Sequence, residues 1–121
     1  MVTQDQNARP ATIERLKEHH GLIAHAIDKQ APVVLGKPNV RVIDYREDER
    51  GQPVLIGQYS IGGTREFTRE DYLPNGDDGT SVFYQAQVLE QLAREQAAIA
   101  AAIRTIQDTQ RLLNNPPEPL T

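Results

Sequence analysis

The stretch from Thr80 to Asn114, TSVFYQAQVLEQLAREQAAIAAAIRTIQDTQRLLN, contains neither proline nor glycine. With Val82 as position a of a heptad, the a and d positions read Val82, Gln85, Leu89, Leu92, Gln96, Ile99, Ile103, Ile106, Gln110 and Leu113. Seven are branched apolar residues and three are glutamine. Spacings of three and four held over that length predict one long helix with a continuous apolar seam. At 1.5 Å per residue it would span roughly 50 Å, longer than the diameter of about 35 Å expected for a compact chain of this size. Part of the helix should therefore project beyond its own globule.

The flanks of the seam say what surrounds it. Ala97–Ile103 (AAIAAAI) is apolar on every side, and the e and g positions include Ala86, Val88, Ala93, Ala100 and Ala102. A two-stranded coil usually carries charge there. Small apolar flanks instead imply neighbours on more than one side, and isoleucine at both a and d favours three or four strands. The seam is thus expected to mediate self-association, with a trimer favoured and the three glutamines setting register. The competing expectation is an intramolecular bundle in which the rest of the chain covers this face.

The remainder of the 121 residues reads as one α+β domain. Residues 1–10 form a polar tail. Residues 11–31 repeat the three-four spacing through Ile13, Leu16, His20, Ile23 and Ile27, with Thr12 or Asn7 as cap, Pro10 in the first turn and Pro32 as the stop. Gly21 interrupts this helix, which suggests a kink or the close approach of another backbone. Val33–Leu35 is a connector or a short edge strand.

Residues 33–68 are then a β-meander, with strands at Val40–Arg46, Val54–Ile61 and Thr64–Thr68. The acidic loop EDERGQP joins the first two, and a two-residue turn at Gly62-Gly63 joins the last two. Strict alternation would put Ile43 and Tyr45 on one face of the first strand. Thr68-Arg69-Glu70-Asp71 resembles a capping box opening a single turn that Pro74 stops. Asp77 and Asp78 precede the long helix of residues 80–114, where Thr80 or Ser81 is the cap. The proline-rich residues 115–121 should lie extended.

Composition removes several functions. Thirteen Lys plus Arg against seventeen Asp plus Glu give a net charge of -4, without the basic clusters that phosphate backbones require. Zero cysteines rule out a disulfide framework or a thiolate metal site. No apolar run approaches the roughly 20 residues of a membrane span, and the expected protein is soluble. His20 and His25 are five apart and His19 and His25 six apart, so neither pair shares a helix face as zinc ligands do at i and i+4. Aligned on an EF-hand loop from Asn75, the twelfth position is Ala86 where glutamate is needed. Ser60 and Ser81 lack a nucleophile elbow, and Gly62-Gly63-Thr64 lacks the spacing and lysine of a phosphate loop.

No catalytic residue, metal ligand or cofactor is therefore expected. The expected role is a non-enzymatic structural or adaptor subunit of a homo-oligomeric assembly that also contacts other protein subunits. By analogy of architecture, a phage head, neck or tail accessory protein fits. The alternative is a soluble regulatory or inhibitory module acting through its acidic loops, Glu47–Arg50 and Asp77–Asp78.

Overall fold

The computed structural model describes residues 4–114, with side chains from Thr12 onward. The order is α1 (Gln4–Leu35), β1 (Val40–Glu47), β2 (Pro53–Tyr59), β3 (Thr64–Thr68), α2 (Arg69–Tyr72) and α3 (Ser81–Asn114). This is the expected α+β arrangement of an N-terminal helix, a three-stranded antiparallel sheet and a long C-terminal helix. The expected extended tail at 115–121 lies outside the described residues.

The first helix is longer at both ends than its sequence spacing suggests. It begins at Gln4, so Asn7, Pro10 and Thr12 are interior residues rather than cap and first turn. Gln4–Arg9 holds no glycine and is compatible with helix, so the loss at Pro10 is confined to one backbone bond. Pro32 does not stop α1 either. Ala31 and Val34 on either side of it are buried in the core, and the Gly36 N–H closes the last turn on the Pro32 carbonyl at 2.9 Å. Packing of that turn outweighs the missing N–H, and Val33–Leu35 becomes helix instead of a connector or strand. Gly21 faces open space, so no second backbone approaches there.

The sheet has the order β1-β2-β3, and one irregularity sets its facing. Val42 pairs with Gly57 and Asp44 with Ile56, which leaves Ile43 as the extra residue of a bulge. The bulge shifts the alternation by one. Val42 and Tyr45 therefore both face the helices, while Ile43 is exposed, a correction to the alternation that grouped Ile43 with Tyr45. The β2–β3 connection is also wider than a two-residue turn. The strands end at Tyr59 and resume at Thr64, and the Tyr59 N–H reaches the Gly63 carbonyl at 3.1 Å.

Leu55 and Phe67 pair across β2 and β3 on the core side. Gly57 next to them makes room for Phe67: a Cβ there would stand 2.6 Å from Val40 Cγ1 and 2.7 Å from Phe67 Cε2. The helices α1 and α3 form a second layer over this face. Ile23, Ile27, Ala31 and Val34 of α1 share one core with Ala86, Leu89 and Ala93 of α3. The fully buried alanines let the two backbones come close, which is why an alanine-rich helix can build a core with few aromatic residues. At the far end, Lys17 and His20 of α1 line a hollow with Ala100, Ile103 and Arg104 of α3. The C-terminal half of α1 thus lies beside the N-terminal half of α3, and the two helices run antiparallel.

Candidate functional site

The ten seam residues fall into three groups. Leu89 and Gln96 are buried inside the chain; Gln85, Leu92, Ile99, Ile103, Ile106 and Gln110 are half-buried; Val82 and Leu113 are exposed. Leu92 and Ile99 pack against the main core. Beyond Ile99 the described residues of α3 have α1 beside them but not the sheet core, so Ile103 and Ile106 stay half-covered and Leu112 and Leu113 lie in solvent. The side-chain carbonyl oxygens of Gln85 and Gln96 are buried with no hydrogen-bond donor among the described residues. An unmet buried acceptor costs about 1–3 kcal/mol.

The two helices touch the sheet with one flank each. On α1, Asp28 pairs with Arg41 of β1 at 3.3 Å. On α3, Glu90 and Arg94 point the same way, toward Arg69 and Glu47. The opposite flanks consequently both face away from the sheet. On α1 that flank holds Arg15, Glu18, Leu22, Ala26, Lys29 and Val33, and on α3 Tyr84, Val88, Glu95, Ile99, Ala102 and Ile106, each row at helical spacing. An outward helix face is normally polar. Here Leu22 is 70% exposed, Tyr84 62%, Val33 56% and Val88 48%. Together with the half-covered seam they form an apolar band along the outer face of the helix pair.

Polar side chains fasten the other side of α3. Glu90 is buried and accepts from Arg69 Nε at 2.9 Å, Arg69 Nη2 at 2.8 Å and the Tyr72 hydroxyl at 2.5 Å. Arg69 and Tyr72 are presented together by α2, which starts where Asp71 Oδ2 accepts from the Thr68 N–H at 2.8 Å. One turn along α3, Arg94 donates to Glu47 at 2.7 Å and to the Tyr45 hydroxyl at 3.2 Å, with its guanidinium 5.5 Å from the Tyr45 ring centroid. A cleft of about 320 Å³ lies between these clusters, lined by Gln52, Gln87 and Gln91 as well.

Burial, with the bond to Glu90 added, pushes the Tyr72 hydroxyl well above its ordinary value of 10.0. The hydrogen bond to Glu90 likewise raises Arg69 above its ordinary value, and the bond to Tyr45 does so for Arg94. Each shift favours the form present at neutral pH. These groups hold α2 and the β1–β2 hairpin onto α3 in one charge-balanced arrangement. Nothing along α3 signals Glu90, which occupies heptad position b and would ordinarily be solvated; the one hint is Arg69 and Tyr72 at i and i+3.

The acidic loops bind their own backbone. Asp48 Oδ1 accepts from the Arg50 and Gln52 N–H groups at 2.8 and 2.9 Å, which holds its carboxyl below the usual value of 3.8, the Gln52 bond contributing most. Asp78 Oδ1 accepts from the Thr80 N–H at 3.1 Å at the entry to α3, and its carboxyl is lowered first by the Thr80 hydroxyl and then by that N–H. His19 and His25 are exposed and His20 is half-buried. Among the described residues no group of three or more His, Asp or Glu is placed to hold a metal ion, and no helix is long and apolar enough to cross a membrane. Compared with protein-family models, curated proteins and solved structures, the chain finds no match.

Proposed function

We propose that this protein is a non-enzymatic structural or adaptor subunit that assembles with copies of itself through its helix layer. The observation that carries this is the apolar outer band, with Leu22, Val33, Tyr84 and Val88 each about half or more exposed. Contiguous apolar surface of this kind marks association sites in water-exposed proteins. The polar clusters on the sheet side support the same role, because they fix the helix layer rigidly on its platform. The acidic loops are less suited to docking, since Glu47 is engaged by Arg94 and Asp48 by its own loop. A small subunit with a projecting helix pair suits an accessory position in a larger particle, such as a phage head, neck or tail.

Sedimentation velocity of the purified chain tests this. The expected result is a defined oligomer at micromolar concentration, shifted to one-chain mass by Leu22→Glu combined with Val88→Glu, while far-UV circular dichroism is unchanged. A clean monomer of the unaltered chain at high micromolar concentration refutes it.

A further inference from the structure

Resting on that self-association, we infer that two copies pack outer face to outer face about a two-fold axis parallel to the helices, with Lys29 of each copy opposite Glu95 of the other. Only two arrangements lay this face on a second copy with the helix axes aligned. A two-fold axis perpendicular to the helices and lying between the layers sets α1 on α1 and α3 on α3. The α1 flank carries Arg15, Glu18 and Lys29, and the α3 flank carries Glu95 as its one charged residue. That arrangement lays Glu95 on a flank without a cation. An axis parallel to the helices instead sets α1 of one copy on α3 of the other, which offers Lys29 to Glu95.

The second arrangement also matches in register. Rotation about an axis parallel to the helices preserves height along them, so residues level within one chain are level across the interface. Lys17 and His20 are level with Arg104 and Ala100–Ile103. Counting along both helices from there, Lys29 comes within about one turn, 5.4 Å, of Glu95. The same count sets Leu22 against Ile99 and Ala102, and Val33 against Val88. Leu22 and Val33 thus meet apolar residues and Lys29 meets Glu95, while Arg15 and Glu18, level with Ile106 and Ala102, can lay their stems on those residues and keep their charges in water. Glu95 is exposed and engages only Gln91 of its own helix, at 3.1 Å, among the described residues.

The area suffices. About 30 Å of helix length and about 20 Å of width across two helices give roughly 600 Å² per copy, or about 1,200 Å² in total, the lower end of a standard specific interface. Two such faces make a four-helix layer with a sheet on each outside. The half-covered Ile99 and Ile106 would become interior.

The test uses charge exchange and disulfide trapping in the full chain, with oligomer mass by sedimentation as the readout. Lys29→Glu, which sets like charges together twice per dimer, should raise the dimer dissociation constant by about tenfold or more. Adding Glu95→Lys to it should restore the constant to within about threefold of the parent. Lys29 and Glu95 are surface residues, so both variants should keep the parental circular dichroism. The chain has no cysteine, which permits an independent check: a mixture of Val33→Cys and Val88→Cys chains should oxidise to the mixed disulfide dimer. Homodisulfides in place of the mixed species, or an oligomer indifferent to both charge variants, overturn the two-fold geometry while leaving self-association intact. A monomeric parent overturns both.

Discussion

Arg69 and Glu90 form an ion pair whose two halves should respond unequally to removal. The Arg69 side chain is 44% exposed, whereas the Glu90 side chain is 9% exposed. Arg69→Met strands a carboxylate where water reaches it poorly. Breaking a buried pair in this way costs about 3–5 kcal/mol, and the partial opening toward Arg69 places the expected loss near the lower bound, about 3 kcal/mol. Glu90→Gln leaves the guanidinium facing solvent, which hydrates it, and keeps a side-chain oxygen for the Tyr72 hydroxyl. What is lost is charge assistance to half-exposed hydrogen bonds, worth about 1 kcal/mol. For a domain of this size these values correspond to falls in midpoint of roughly 12 °C and 4 °C. The chain has no tryptophan, so urea and thermal unfolding should be followed by circular dichroism at protein concentrations low enough to give the monomer. A loss for Glu90→Gln equal to or greater than that for Arg69→Met would refute the claim that Glu90 is the desolvated partner.

Two further outcomes follow from the same packing. Gly57→Ala forces a Cβ to within 2.6 Å of Val40 and 2.7 Å of Phe67, and chemical denaturation should show a loss of about 2–3 kcal/mol from overpacking. The stability profile against pH should fall at both extremes for identifiable reasons. Asp48 and Asp78 are lowered in the folded chain, so their contribution is present above 3.8 and lost as pH drops below it. Tyr72 is raised, so its contribution is present below 10.0 and lost as pH climbs past that value. Tyr72→Phe should flatten the alkaline decline specifically, and a paired Asp48→Asn and Asp78→Asn variant the acid one.

The long helix was legible because its three-four spacing persists through 34 residues without a breaker, and its alanine flanks pointed to close neighbours. The three strands were legible from their β-branched residues. Helix ends were not, because proline carries a local penalty that the burial of Ala31 and Val34 overrides at Pro32. The bulge at Ile43 was invisible because one extra residue changes strand facing without changing composition. The Arg69–Glu90 contact joins residues 21 apart in sequence through tertiary placement alone, so no spacing rule reaches it. The seam itself was visible residue by residue. Which part of it α1 would cover depended on the antiparallel alignment of helices separated by the whole sheet.

That separation has a kinetic consequence. The meander is local and can close hairpin by hairpin, whereas Ile27 must wait for Leu89, its partner in the core. At 5–20 residues per second, roughly 60 residues of synthesis leave α1 without its cover for about 3–12 s. During that interval the nascent N-terminal helix shows its apolar stripe to whatever is nearby, including the same segment on an adjacent ribosome. Long-range closure of this kind is also slow to search. Synthesis of α3 therefore ends the exposure of α1 to chaperones and to premature contact with its siblings.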